Sequence, residues 1–364
     1  MTRPHLRDVP VTTLAARLED AGFENAAALA HRLGIGIHRD GAMTFDELPP
    51  GRATRERLAA AYRFELLLAP AGVREGGDGA TRKYMFRLTS GESVEAVLIR
   101  HWDNHTLCIS SQAGCAMACT FCATGTMGLL RDLTAGEITE QLVRVQKDAG
   151  VRVTDVVFMG MGEPLHNYEA VMHACENLNE RAGHGIARKR ITVSTAGLVP
   201  GIRRFTAERQ RARLHLSLHS AIQATRERLM PIARVHPLPE LLDAMREHQR
   251  ECAVKWLTFQ YVAIPGVNMD QDHVDAMRDL LTGMRYILNV IPWNDTGASF
   301  RAPSWDEVKD FTTRLRALSC PVKVRYSAGK TDGMGCGQLS AETLRAAPPR
   351  AGSHMAAPPG IFTQ

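Results

Sequence analysis

From about residue 107 the sequence alternates. Short apolar, β-prone runs return every roughly 30–45 residues, with helical periodicity between them. The runs are Thr106–Ser110, Asp155–Met159, Arg190–Ser194, Arg213–Leu218, Trp256–Val262, Tyr286–Ile291 and Val322–Tyr326. Two of the segments between them open on capping boxes. Thr134-Ala135-Gly136-Glu137 precedes Ile138, Leu142 and Val145, and Ser304-Trp305-Asp306-Glu307 precedes Val308, Phe311, Leu315 and Leu318. Each apolar set falls on one helical face. Strand, helix and strand repeated in this way build parallel βα units, so the chain is predicted to be α/β, with an open parallel sheet or a barrel.

The rest of the chain divides around that core. Residues 1–70 read as a small helical accessory domain, with Leu14, Leu18 and Phe23, then Leu58, Tyr62 and Leu66, at helical spacings. Residues 71–105 read as a linker followed by a hairpin. Ala71 to Ala80 is rich in Gly and Asp, and Lys83 to Leu88 and Ser93 to Ile99 are β-prone runs around Thr89-Ser90-Gly91-Glu92. The barrel is expected over 106–340, and the Pro- and Ala-rich 341–364 as a disordered tail. No apolar run reaches the roughly 18–20 residues of a membrane span, and the N-terminus lacks the apolar core of a secretory signal. A cytoplasmic protein without membrane association is expected. With 44 Lys and Arg against 39 Asp and Glu, the formal charge of +5 permits a polyanionic partner without demanding one.

Polar residues gather at the predicted strand ends. Glu163 follows the second strand, Ser194 ends the third, Ser217 and His219 end the fourth, and Asn294 follows the sixth. Any one of them could be a cap or a turn residue. In a βα barrel, however, the C-terminal strand ends build the active site. Five such residues in one topological place point to a single site.

Eight cysteines in a chain without an export signal are expected to be reduced thiols. Cys175, Cys252, Cys320 and Cys336 are scattered, and from position alone each reads as a small buried hydrophobe. Cys115-Ala116-Met117-Ala118-Cys119-Thr120-Phe121-Cys122 is different: one tight loop can aim all three thiols at one metal centre. Structural zinc wants four closed ligands, and Cys108 or a histidine could supply the fourth. An iron–sulfur cluster held by three thiolates keeps one iron open, as a catalytic centre requires.

The surrounding motifs are more specific than the spacing. Leu107-Cys108-Ile109-Ser110-Ser111-Gln112-Ala113-Gly114-Cys115 leads into Cys119-Thr120-Phe121-Cys122-Ala123-Thr124-Gly125. Phe158-Met159-Gly160-Met161-Gly162-Glu163-Pro164-Leu165, Ile191-Thr192-Val193-Ser194-Thr195-Ala196-Gly197 and Leu216-Ser217-Leu218-His219-Ser220 follow. Asn289-Val290-Ile291-Pro292-Trp293-Asn294 and Cys336-Gly337-Gln338-Leu339 complete the series. In this order the motifs resemble the RlmN/Cfr family of radical S-adenosylmethionine RNA methyltransferases, from about residue 93 to residue 339. The resemblance implies a partial parallel βα barrel with an N-terminal helical region and a hairpin extension.

It also implies roles. Cys115, Cys119 and Cys122 would hold a [4Fe–4S] cluster whose open iron binds S-adenosylmethionine, with two molecules of S-adenosylmethionine used per turnover. Gly162 and Glu163 would meet its methionine end, and Ser194, Ser217, Leu218, His219 and Asn294 the remainder. Cys336 would carry a methyl group to an adenine ring carbon. Cys108 would resolve the covalent protein–RNA link through a disulfide with Cys336. Glu95, thirteen residues before Cys108, matches the family's proposed proton acceptor, although a glutamate alternating on a strand is commonly solvent-facing. The implied partners are ribosomal RNA, possible transfer RNA, and an electron donor such as flavodoxin or ferredoxin, with the chain a monomer.

One segment departs from the pattern. Where the family carries an Asp-rich approach to the methyl-bearing cysteine, this chain reads Thr331-Asp332-Gly333-Met334-Gly335-Cys336, and the two glycines are expected to loosen the loop. A paralogue acting on a small nucleoside or peptide therefore stays open. So does a Cfr-like enzyme that methylates C8 of adenine and confers ribosomal antibiotic resistance. Glu163-Pro164 and Ile291-Pro292-Trp293-Asn294 favour the RlmN-like C2 reaction. Arg188-Lys189-Arg190, Arg203-Arg204 and the run Arg209 to Arg213 are candidate phosphate contacts, or simply a solvated face.

Overall fold

A computed structural model describes residues 3–77 and 79–339, and the tail expected at 341–364 lies outside the described residues. The strands are β1 (Leu68–Glu75), β2 (Thr81–Leu88), β3 (Ser93–Arg100), β4 (His105–Cys108), β5 (Gln112–Gly114), β6 (Leu129–Asp132), β7 (Asp155–Phe158), β8 (Ile191–Thr195), β9 (Arg213–Ser217), β10 (Leu257–Ala263), β11 (Tyr286–Pro292) and β12 (Val322–Val324). Ten of them form one sheet in the order β1-β2-β3-β4-β7-β8-β9-β10-β11-β12, and β5 and β6 form a separate ribbon. All seven core strands expected from the sequence are present, and from β4 onward each pairs in parallel with the next. Helices Ala135–Ala149, Tyr168–Asn179, Val199–Ala207, Leu238–Glu251, Gln271–Leu280 and Trp305–Arg314 make the six crossovers.

The α/β fold is thus a mostly parallel sheet whose end strands do not pair with each other. Its curvature follows from what its inner face encloses. Val97, Cys108, Val157, Thr192, His215, Gln260 and Asn289, one from each of seven consecutive strands, line a single cavity. Such an arrangement is an open barrel wall. The outward positions carry the core. Phe259, Tyr261 and Leu288 are fully buried, each contributing about 1.5–3 kcal/mol by leaving water. Both predicted capping boxes are formed, by Thr134 with Glu137 and by Ser304 with Glu307.

Residues 71–75 differ from the linker-or-turn reading of 71–80. Gly72, Val73 and Arg74 continue β1, which pairs antiparallel with β2, with an irregularity between Pro70 and Gly72. Gly72, a poor β-former, is held there by a ready-made partner edge, a tertiary effect that overrides local propensity. The Lys83–Ile99 hairpin is present as β2 and β3 and joins β4 antiparallel, extending the barrel wall. Residues 11–61 contribute helices Val11–Asp20, Ala26–Gly34 and Arg52–Ala61 around their own core of Leu14, Leu18, Leu33 and Leu58. Leu66, expected on that face, is 45% exposed because the chain has already left the helix. This unit is tied to the barrel through buried Arg7, 3.5 Å from buried Glu140. Among the described residues no helix is long and apolar enough to cross a membrane.

Candidate active site

The cysteine loop lies between β5 and β6, closed by a bond from the Cys115 amide to the Gly128 carbonyl (2.9 Å). Within it, Ala118 adopts a left-handed conformation, and the Cys122 amide turns back to the Cys119 carbonyl (3.2 Å). Gly125 completes the wrap. A Cβ there would stand 2.6 Å from the Cys119 carbonyl oxygen, so no other residue lets the loop close this tightly. The outcome is that Cys115, Cys119 and Cys122 face one cavity. Burial pushes the Cys115 thiol up to about 12 and the Cys119 thiol well above its usual value. Burial also raises the Cys122 thiol, while backbone N–H groups of Gly125 and Thr124 act against the rise.

Thiolates in such a place need a positive centre. Beneath the loop, fully buried Arg226 donates from Nε to the Leu218 carbonyl (3.1 Å) and from Nη2 to the Ala196 carbonyl (2.7 Å). Its Nη1 has no hydrogen-bond partner among the described residues. Burial lowers its pKa to about 10, and Cys119 acts in the other direction. A buried guanidinium without a carboxylate is costly unless an anion accompanies it. An anionic thiolate-ligated cluster beside Cys119 meets that need. No group of three or more His, Cys, Asp or Glu among the described residues is disposed to hold a single metal ion. Three thiolates suit a [4Fe–4S] cluster, which keeps one iron open, better than structural zinc, which wants four closed ligands.

The strand-end residues meet at the same cavity. Gly162, Glu163, Ser194, Ser217, His219 and Asn294 all line it. Gly162 has φ +100°, and a Cβ would lie 2.5 Å from that of Gln112. Gln112 in turn accepts from the Glu163 amide (2.8 Å). The Glu163 carboxylate accepts from the Ala196 amide (2.7 Å) and the Leu165 amide (3.0 Å), while burial raises its pKa to about 7. His219 sits at φ +58°, a strained conformation for a non-glycine residue. Its Nδ1 accepts from the Val262 amide (3.0 Å), its ring stands edge-on to Phe121, and burial lowers its pKa to about 3, so it is neutral. Leu218 is the exception. Its side chain is fully buried in the barrel core and lines neither this cavity nor the next.

Cys336 lines this cavity and also a second one, of about 1360 Å³, which holds Cys108. Its exposed surface therefore faces the barrel interior. Burial pushes the Cys336 thiol up to about 11 and the Cys108 thiol to about 12, with Cys336 the next contributor at Cys108. All eight cysteines are free thiols. Gly335 does not stand free in the Cys336 loop. Gly335 packs so closely that a Cβ would meet Gln338 at 2.7 Å and Asn294 at 2.9 Å. Asn294 Nδ2 donates to the Ser327 hydroxyl (2.8 Å) and the Cys336 carbonyl (3.0 Å). The Ala123 amide donates to the Gly337 carbonyl (2.8 Å), which joins this loop to the cysteine loop. Glu95 is not solvent-facing and lines neither of these two cavities: it is 1% exposed, with Lys83 Nζ 3.4 Å away. Arg226, Gln112 and Trp293, whose Nε1 donates to the Phe121 carbonyl (3.0 Å), were not legible as site residues, because none belongs to a pattern of spaced ligands.

Comparison with known proteins accords with this geometry. Residues 109–280 match the Radical SAM superfamily. A dual-specificity RNA methyltransferase RlmN of Syntrophobacter fumaroxidans is 43% identical over 74% of this chain and 79% of its own length. The RlmN 1 of Myxococcus xanthus is 40% identical over 94% and 96%. The chain belongs to the RlmN/Cfr family of radical S-adenosylmethionine RNA methyltransferases. A crystal structure of a radical SAM methyltransferase from Sphaerobacter thermophilus superposes with a TM-score of 0.86 at 38% identity, covering 93% of this chain and 99% of that one. Membership in the RlmN/Cfr family makes the chain a radical methyltransferase that uses a [4Fe–4S] cluster and S-adenosylmethionine, in agreement with the three-thiol cavity.

Proposed function

We propose that this enzyme methylates C2 of an adenine in 23S ribosomal RNA, and possible transfer RNA targets, with Cys336 as the methyl carrier and two S-adenosylmethionine molecules consumed per turnover. The observation that carries the reading is the double position of Cys336, in the wall of the cofactor cavity and of the cavity that holds Cys108. A carrier must meet its methyl donor and its acceptor without leaving the protein, and this thiol faces both spaces.

Cys115, Cys119 and Cys122 would hold the cluster, with Arg226 balancing its charge from below. When bound, the cluster and S-adenosylmethionine supply a 5′-deoxyadenosyl radical by one-electron cleavage. Glu163, fixed by two backbone N–H groups, and the hydroxyls of Ser194 and Ser217 would meet the polar parts of S-adenosylmethionine. Asn294 holds the Cys336 main chain, so the methylated sulfur stays aimed inward. Cys336 would deliver its one-carbon unit to the electron-poor ring carbon, and Cys108 would release the product by forming a disulfide with Cys336. Glu95 is linked to the Cys336 loop through Lys83, which also donates to the Gly333 carbonyl (3.3 Å). The relatives named RlmN support C2 over C8. A flavodoxin- or ferredoxin-type donor would supply the electron, and the enzyme would act as a cytoplasmic monomer, its N-terminal helical unit and hairpin helping to hold RNA.

The test is incubation of the reconstituted enzyme with ribosomal RNA lacking the modification, followed by mass spectrometry against authentic standards. 2-Methyladenosine is the expected product. 8-Methyladenosine would reverse the regiochemistry, and turnover of a free nucleoside or peptide with none on RNA would refute the RNA assignment.

A further inference from the structure

The two cavities are stacked along the strands. On β8, Ser194 and Thr195 line the cofactor cavity and Thr192 the second; on β9, Ser217 lines the first, and Arg213 and His215 the second. On β11 the division is Pro292 above and Asn289 below. The second cavity therefore lies toward the N-terminal ends of the strands, beneath the cofactor cavity. Cys336 stands at the junction and Cys108 within the lower space.

The mouth of that lower cavity is cationic. Arg190, Arg213 and Arg325 line it, with Asp155 the acidic group among them, already 2.9 Å from Arg190. Arg213 and Arg325 are exposed, and neither has a carboxylate at ion-pair distance among the described residues. Both nevertheless come close enough to His215 to act against its protonation after burial, holding it at about 4. Arg325 follows β12, three strands away from β9 in the sheet, so its charge reaches inward across the barrel.

Arg213 and His215 also line a groove on the outside of this end. Arg209, Arg211, Lys255 and Lys323 continue it, and Glu251 is its acidic residue. Those four cations have no carboxylate at ion-pair distance among the described residues. Trp256, 40% exposed, stands in the same groove. The other basic runs differ: Arg203 faces Glu240 and Glu247, and Arg204 pairs with Glu169 and Glu208. Unpaired cations around an exposed indole are what a single-stranded nucleic acid needs, the charges for phosphates and the ring for stacking.

We infer that a single-stranded RNA segment lies along this groove, and that its target adenosine enters the barrel past Arg213 and Arg325 to reach Cys108 and Cys336 from the side opposite the cofactor loops. The inference rests on the RNA methyltransferase reading and adds the route and the residues. It also separates the two substrates: S-adenosylmethionine occupies the upper cavity while the base waits below. The unstacked base needed for such an insertion is available in a loop or unpaired region.

The test uses the full-length reconstituted enzyme and a fluorescein-labelled RNA hairpin with an adenosine in its loop, titrated across salt concentrations. Arg213→Ala and Arg325→Ala should each raise Kd roughly tenfold, and each should flatten the slope of log Kd against log salt by about 0.7. Arg213→Lys and Arg325→Lys should restore most of the slope, because a phosphate needs the charge. Trp256→Ala should raise Kd about fivefold or more with the slope unchanged. Arg203→Ala, which removes an equal charge from an outer helix, should bind as the wild type does, and the iron content of every variant should match. If Arg213→Ala, Arg325→Ala and Trp256→Ala all behave like Arg203→Ala while the wild type methylates RNA, the route is wrong and the RNA reading stands. A wild type that neither binds nor methylates RNA would overturn both.

Discussion

Asn294→Ala should loosen the Cys336 loop without unfolding the barrel. The amide of Asn294 donates both to the Ser327 hydroxyl (2.8 Å) and to the Cys336 carbonyl (3.0 Å), and the residue is only 5% exposed. Two such bonds at a net value of about 1 kcal/mol each give about 2 kcal/mol. At 1.36 kcal/mol per factor of ten, this is roughly a 30-fold rise in the open population of the loop. The other anchors remain: Gln338 Nε2 to the Asp295 carbonyl (2.8 Å) and the Thr124 hydroxyl to the Leu339 carbonyl (3.2 Å). The change should therefore stay local. Amide hydrogen exchange on a peptide spanning 329–339 reads it directly, in protein without bound cofactor. Exchange in that peptide should quicken by about 30-fold, while β8 and β10 keep their protection. Unchanged exchange would refute Asn294 as the anchor of the loop, and equal loss of protection across the barrel would show a global role instead.

The cluster assignment expects a brown protein with about four iron and four sulfide per chain after anaerobic purification. Cys115→Ala, Cys119→Ala or Cys122→Ala should each abolish the colour, whereas a colourless protein with one zinc would contradict the assignment. Arg226→Met removes a buried positive charge beside Cys119, so the cluster's reduction potential, measured by redox titration, should become more negative. Glu140→Ala leaves buried Arg7 unpaired and removes acceptors for the Leu67 and Leu68 amides (both 3.2 Å). It should cost about 3–5 kcal/mol, read as a lower urea midpoint.

The barrel strands were legible because each is a short β-prone run between helical segments, and the parallel order follows from the crossovers. The capping boxes of Thr134 and Ser304 were legible for the same local reason. Strand β1 was not, because Pro70 and Gly72 interrupt its local strand signal and the run is extended by pairing with β2. In the site, Cys115, Cys119 and Cys122 declare themselves by spacing, and Glu163, Ser194 and Ser217 by their place after strands. Arg226 could not, since its meaning depends on lying beneath Cys119, more than a hundred residues away in sequence. Gly335 misled for a related reason. Gly335 is there to let Asn294 and Gln338 approach, and composition cannot distinguish close packing from freedom. The basic runs show the same limit: Arg203 and Arg213 are equivalent as sequence, and only the fold sets one among carboxylates and the other at the mouth of a cavity.

The central claim is that Cys336 carries the carbon and Cys108 releases it, and the order of those events makes it testable in one measurement. Cys108→Ala is expressed with its RNA, purified, digested with nuclease and protease, and the peptide containing Cys336 is weighed. Removing the last actor in a sequence traps what the earlier one has built. The peptide should carry an adenine nucleotide joined through a methylene group, and the Cys108→Ala, Cys336→Ala double variant should carry none. A Cys108→Ala protein that bears no nucleotide on Cys336 and still methylates RNA at the wild-type rate would contradict the account.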